Sequence, residues 1–404
     1  MTSPLSAVPI EFLLFSVTLV SVAIFDRRSL WVSLAGLTTT IIYKLAFTGF
    51  KEGPGLIGLG THFAHEWVTL ANLMMLLVGF AIVANHFEKS KLPRAVSKLL
   101  PDGWVGGLML LGMVFCMSIF LDNIAAAVIG GIVARHVYQG QVGIGFLASI
   151  VAAANAGGAG SVIGDTTTTM MWLEGISPLA LLPAFIAALV AFVVFGVIGS
   201  VAQHRHAPIM RHDSTELAID WVRVMIVVGV VAIIITANVS SHLVFPRLGE
   251  VAPLLGLAIW MAILIALFAR RPDWSIAPVA TKGALFLVAL VAIASLMPVN
   301  TLPPASWSIA FGLGLLSSVF DNIPLTALAL QQGGYDWALL AYAVGFGGSM
   351  VWFGSSAGVA LTGQFPEGRS TLAWMRSGWH VALAYLVGFF VMLALRGWSP
   401  GAAG

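Results

Sequence analysis

The sequence predicts an all-α polytopic membrane protein made of two inverted-topology repeats, each with five transmembrane helices, one re-entrant hairpin and a helix broken near the membrane midplane. Three observations lead there. The 404 residues are 59% hydrophobic and only 9% charged, against about 25% charged in soluble domains. Apolar runs long enough to cross a bilayer recur along the whole chain. One polar element, Ser-x-x-x-Asp-Asn-Ile or its close variant, occurs twice inside such runs, at Ser118–Ile124 and at Ser317–Ile323.

Runs of about 17–25 apolar residues place spans near 10–25, 29–49, 67–86, 141–173, 178–202, 221–238, 251–269, 281–297, 336–361 and 377–396. The first ten residues hold no Lys or Arg ahead of the apolar run, so the first span is expected to stay in place and not to be cleaved as a signal peptide. Two more apolar segments, 104–137 and 306–331, carry the Asp-Asn pairs near their middles. If each crossed once, the basic residues would not segregate. If each dips in and returns, and the N-terminus lies outside, fifteen of the nineteen Lys and Arg fall on the inner side. Only Lys44, Lys51, Arg247 and Arg396 are left outside. That bias fixes orientation, with both termini outside. The first repeat then covers 1–202, a polar inner linker covers 203–220, and the second repeat covers 221–404. The linker carries His204, His206 and His212, which read more readily as solvated residues than as a pH sensor. One cysteine, Cys116, excludes an intrachain disulfide. The composition implies a lipid bilayer as the medium; no nucleic-acid partner, enzymatic activity or cofactor is expected.

A glycine-rich span follows each hairpin. The first reads Gly157-Gly158-Ala-Gly-Ser-Val-Ile-Gly164-Asp165 and runs into Thr166-Thr167-Thr168-Thr169; the second reads Gly347-Gly348-Ser-Met-Val-Trp-Phe-Gly354-Ser355-Ser356. The first and last glycines are seven residues apart in both. Glycines and hydroxyls together predict a helix that unwinds in the membrane and frees carbonyls and half-helix ends. Asp165 aligns with Ser355, which leaves three acidic candidates.

A carboxylate at membrane depth costs at least ~2.5 kcal/mol and marks an ion or proton path. Asp122 and Asp321 are therefore the principal site candidates, and a matched pair in two halves points to a transporter with its site at the repeat interface. Asn123, Asn322, Thr166, Thr167, Ser355 and Ser356 offer the oxygen donors a hard cation prefers. Asp165 is a third ligand, a proton carrier or an N-cap of the helix at Thr166. Ser118, Ser317, Gly157, Gly158, Gly164, Gly347, Gly348 and Gly354 support the tips and breaks, although such glycines also serve plain helix packing. The Thr run alone is weak evidence, because Thr bonds to the i−4 carbonyl within helices. His62, His65 and Glu66 do not form a zinc helix, since Thr69 stands where the second His is needed. His380 reads as an interfacial residue at the start of the last span.

At Phe120-Leu121-Asp122-Asn123, at Ile163-Gly164-Asp165-Thr166-Thr167-Thr168-Thr169-Met170-Met171-Trp172, at Phe320-Asp321-Asn322-Ile323-Pro324-Leu325 and through 345–358, the chain resembles the ion transporter superfamily and, within it, the NhaD-type sodium/proton antiporters. The likeness runs from about residue 67 to the end. It implies a homodimer, a scaffold with a moving transport domain that works as an elevator, and exchange of Na+ or Li+ for H+ at Asp122, Asp321 and Asp165 in the inner membrane of a bacterium. Related dicarboxylate carriers have Ser-Asn-Thr at the hairpin tips and arsenite permeases have Asn-rich ones. Asp-Asn at both tips favours a cation over the alternative, a carboxylate or other anion carrier on the same scaffold. An intramembrane aspartyl protease built on Tyr335-Asp336 and Gly164-Asp165 is disfavoured, because Val162 replaces the glycine such a motif needs. A non-transporting membrane protein leaves the matched acids unexplained.

Overall fold

The structure is a computed structural model that describes residues 9–25, 28–92, 95, 100–209, 218–243, 248, 251–298, 302–320 and 322–401. Of these residues 77% are helical, and no strand occurs among them. Five helical segments, Ser29–Thr48, Gly55–Lys89, Pro178–His206, Trp274–Ser295 and Trp379–Arg396, are long and apolar enough to cross a membrane. The protein is an integral membrane protein.

The helices are α1 (Ile10–Ile24), α2 (Ser29–Tyr43), α3 (Gly55–Lys89), α4 (Trp104–Ser118), α5 (Asn123–Val137), α6 (Ile144–Gly158), α7 (Thr166–Leu173), α8 (Ala184–His206), α9 (Trp221–Leu243), α10 (Leu254–Ala266), α11 (Ala277–Ser295), α12 (Trp307–Ser317), α13 (Asn322–Gln332), α14 (Trp337–Gly347), α15 (Ser356–Gln364), α16 (Thr371–Ser377) and α17 (Trp379–Arg396). They pack as two groups. In the first, α1 lies on α2, α2 and α3 on α11, and α3, α9 and α10 on one another. In the second, α8 packs on α4, α6, α14 and α17, α12 packs on α14, and α15 packs on α5 and α6. The groups meet where α3 touches α5 and α7 and where α11 touches α13.

The second group is built around α6 and α14. From Phe146 to Gly158 every residue of α6 is buried, and so is all of α14. Ala148, Ala152, Ala153, Ala154 and Ala156 dominate α6. In lipid, helices associate through close packing of small side chains, which suits α6 to its encircled position, whereas α14 is buried with larger side chains such as Trp337, Tyr342 and Phe346.

Both expected breaks are present. α6 stops at Gly158 and α7 starts at Thr166; α14 stops at Gly347 and α15 starts at Ser356. Asp122 lies between the short helices α4 and α5, Asn123 opens α5, and Asn322 opens α13 after the short α12. The 15-residue helices α4 and α5 rise about 22 Å each, short of a ~30 Å hydrocarbon core.

Breaks and turns are locked together by matched contacts. Ser118 Oγ donates to Ala154 O, and its counterpart Ser317 Oγ donates to Val344 O at 2.7 Å. A Cβ on Gly157 would fall 2.1 Å from Phe115 O, and one on Gly347 would fall 2.1 Å from Gly314 O. Only glycine permits these approaches.

Some sequence expectations shift. The third span begins at Gly55, twelve residues before the apolar run at 67, because its polar groups are partnered: His62 Nδ1 lies 3.2 Å from Glu52 Oε2 and His62 Nε2 lies 3.1 Å from Ser295 Oγ. His380 is not interfacial. It is 1% exposed, with Nε2 2.9 Å from Ser149 Oγ. Within the linker, His212 lies outside the described residues, while Asp220 pairs with Arg223 and Arg270 at 3.4 and 3.1 Å. Asp273, next to that end of the molecule, is held down to about 2, first by the Lys89 ammonium that donates to it. It stays ionised through the physiological range and carries no exchangeable proton there.

A Gly157→Val substitution is expected to destabilise the protein by about 1–3 kcal/mol or more through overpacking, read as a lower Tm in detergent. Gly363→Ala, where a Cβ meets nothing within 4 Å, is the matched control and leaves Tm unchanged or slightly raised.

Candidate functional site

A cavity of about 430 Å³ lies where the two helix groups meet. The second group lines it with Asp122, Asn123, Asp165, Thr166, Asn322 and Ser356. α3 and α11 of the first group supply a mostly apolar wall that includes Leu77, Ala81, Ala280 and Leu287. A further chamber of about 30 Å³ adjoins Asp122, Thr166, Thr169 and Leu77. Segments 122–123, 165–166, 322 and 356, far apart in sequence, thus meet in one place. Asp321 lies outside the described residues; its chain neighbour Asn322 lines the cavity.

Asp122 occupies the N-cap position of α5, yet its side chain makes no capping bond to that helix. Asp165 does cap α7: its Oδ1 accepts from Thr167 N at 3.4 Å, and its Oδ2 accepts from Thr167 Oγ1 at 2.5 Å. It is 1% exposed and still borders the cavity. Capping and site lining are therefore combined in Asp165. Ser355 takes the same position on α15, accepting from Gly358 N at 3.3 Å. Ser356 lines the cavity and Thr167 turns its hydroxyl to Asp165.

The threonine run satisfies the first break. Thr168 Oγ1 donates to Ser161 O and, at 2.8 Å, bonds Asp165 O; Thr169 Oγ1 reaches Val162 O at 2.8 Å and Asp165 O at 2.9 Å. Ser161 Oγ donates to Ile119 O in the Asp122 turn. Several carbonyls freed by the break thus go to protein hydroxyls, as a chain inside lipid requires. The oxygen donors of the cavity come chiefly from side chains.

Sequence reasoning missed Asn155. It is completely buried on α6. Its Oδ1 accepts from Asn123 Nδ2 at 3.1 Å, and its Nδ2 donates to Ser349 Oγ at 2.9 Å and Ser355 Oγ at 3.2 Å. Asn123 Nδ2 also reaches Asp165 Oδ1 at 3.5 Å. One amide therefore joins the first Asp-Asn turn to the second break. The only signal in the sequence is a single amide in an alanine run. Gly345 stands where Asn155 stands in the other half, and a Cβ there would lie 3.0 Å from Asp165 Oδ2. The larger cap faces glycine and the smaller cap faces asparagine.

Asp336, considered above for a protease pair, caps α14 by accepting from Leu339 N at 3.1 Å and also accepts from Ser399 N at 3.2 Å. It does not border the cavity that Asp165 lines.

Fold and cavity together describe a polytopic membrane protein with Asp122 and Asp165 at a cavity between two groups of helices. The comparisons specify it further. The chain is 27% identical over 335 residues to sodium/proton antiporter 1 of Arabidopsis thaliana, covering 73% of this chain and 55% of that protein. It is 27% identical over 363 residues to the Na+/H+ antiporter NhaD of Alkalimonas amylolytica, covering 75% and 72%, and 27% identical over 352 residues to that of Vibrio parahaemolyticus, covering 74% and 84%. These relatives are named as sodium/proton antiporters, which are transporters and not enzymes, and it is to them that the chain is similar. It spans little more than half the length of the Arabidopsis relative. No family model matches it.

Asn155→Ala strands Asn123 at the first Asp-Asn turn and Ser349 and Ser355 at the second break, and is expected to cost about 1–3 kcal/mol, seen as a fall in Tm in detergent. An unchanged Tm would show that the bridge does not hold the breaks.

Proposed function

We propose that the protein exchanges Na+ or Li+ for H+ across the membrane, with Asp122 and Asp321 as the groups that alternately hold the cation and the proton. The observation that carries this reading is the one cavity in which Asp122, Asn123, Asp165, Thr166, Asn322 and Ser356 converge, with no Lys, Arg or His among its described lining. Carboxylate, amide and hydroxyl oxygens suit a hard cation. An oxyanion would meet carboxylates without a compensating positive charge, so the cation is favoured over a carboxylate or other anion. The names of the relatives agree.

The chemistry is competition. An ionised Asp122 attracts Na+ strongly in a low-dielectric wall. Protonation removes that charge and releases the ion. Asp122 and Asp165 line the same cavity, so protons and cations there are exchanged by neighbouring acids as a set. Asp165, fixed by Thr167, stands beside the site.

The architecture we propose is two inverted repeats, 1–202 and 221–404, joined by the 203–220 linker. The matched Ser118/Ser317 and Gly157/Gly347 contacts support it. The Asp-Asn segments are re-entrant hairpins, a reading supported by the short lengths of α4 and α5. The first helix group is the scaffold of a homodimer and the second is the transport domain, which carries the site past it as an elevator. The two-group packing supports that division. We place both termini outside, in a bacterial inner membrane. Contacts respect this orientation: Lys89, Asp220, Arg223, Arg270 and Asp273 cluster at the proposed inner end, and Asp336 meets Arg396 at 3.9 Å at the outer.

In everted vesicles from an antiporter-deficient host, Na+ or Li+ is expected to collapse an imposed proton gradient. Asp122→Asn and Asp321→Asn, expressed at wild-type level, are expected to abolish that response; wild-type flux in either would refute the assignment. Asp165→Ser is expected to shift the apparent ion affinity or the pH profile, and an unchanged profile would reduce Asp165 to a cap.

A further inference from the structure

The exchange scheme leaves one titratable group of the cavity unused. Glu88 lines the same cavity as Asp122 but comes from α3, in the other helix group. Asn85, one turn earlier, lines it too, and Ala81 and Leu77 continue the series. From Leu77 to Glu88 the wall runs about 16 Å along the helix axis. Leu77 also borders the small chamber beside Asp122. Glu88 stands at the other end, in the last turn of α3 and next to the partly exposed Lys89–Asp273 pair. It marks the mouth of the cavity, and Asp122 marks its depth.

Its charge is not neutralised locally. Lys89 is engaged by Asp273, and Arg223 and Arg270 are engaged by Asp220. Among the described residues neither the Glu88 carboxylate nor the Asn85 amide has a hydrogen-bond or ion-pair partner. A clustered structural role would have given Glu88 one of these cations. A lone carboxylate at the entrance of a channel with low-dielectric walls focuses a negative potential on the path inward.

We infer that Glu88 is a cation-recruiting residue: it draws Na+ or Li+ from the aqueous phase into the cavity, and the Asn85 side-chain oxygen, one turn deeper, is the next ligand on the way to Asp122. This rests on the cation-exchange reading above. Recruitment acts on arrival of the ion and not on its exchange with the proton, so it governs apparent affinity at this face and not the maximal rate.

The test is Na+-dependent collapse of the proton gradient in everted vesicles, whose outer face is the proposed cavity mouth. Glu88→Gln is expected to raise the half-saturating Na+ concentration about 3- to 10-fold with the maximal rate within about two-fold. Adding choline chloride is expected to raise half-saturation in the wild type through screening, and this dependence flattens in Glu88→Gln. Glu88→Asp restores both. Wild-type half-saturation and ionic-strength dependence in Glu88→Gln would overturn recruitment, as would a fall in maximal rate alone, the mark of a packing role. Both of those results leave wild-type exchange intact. Absence of any Na+ or Li+ response in the wild type would instead strike down the exchange reading, and recruitment with it.

Discussion

A chain that interrupts its helices inside a bilayer must find a partner for each amide and carbonyl it frees, because lipid offers none. The rest of this structure depends on that requirement. At the first break Thr168, Thr169 and Ser161 take up carbonyls, and Asp165 takes up an amide. At the second, Ser355 takes the amide of Gly358. These bonds hold the helix ends in place, and the helix ends border the cavity. A carboxylate can stand in that cavity because the backbone around it has already been satisfied.

The same requirement explains why the site is built from small residues. Breaks and turns must approach within backbone contact to exchange hydrogen bonds, so glycines fall where Cβ atoms would strike carbonyls, and alanines fill the helix beside them. Packing at that density fixes side-chain positions with little rotamer freedom. Asn123, Asn155 and Asp165 are held in one polar chain as a result, and low local dielectric strengthens each of its links.

Much of this was legible in the sequence. The two breaks and the junction at Asp122 were readable, because glycines seven residues apart and a serine four residues before an acid each occur twice. The resemblance to NhaD-type antiporters agrees with the relatives found. Asn155 was not legible: one amide in an alanine run has no periodic signal, and its worth lies in Ser349 and Ser355, some 200 positions away. His380 was misread because its position at a helix start says nothing of α6 packing over it. The start of α3 was misread because polarity was taken as the end of a span, whereas His62 finds Glu52 and Ser295.

The caps of the two breaks face unequal neighbours across the center: Asp165 faces Gly345, and Ser355 faces Asn155. The volumes are complementary: the first half supplies the large member of each pair, and the second half supplies the small one. A chain assembled from two copies of the first half would set aspartate against asparagine at both places and overfill the site. One assembled from two copies of the second would set serine against glycine and leave it hollow. The halves are thus obligate complements. Substitution at any one of these four positions is tied to its cross-partner, and among related sequences the pairs 165 with 345 and 155 with 355 should change together.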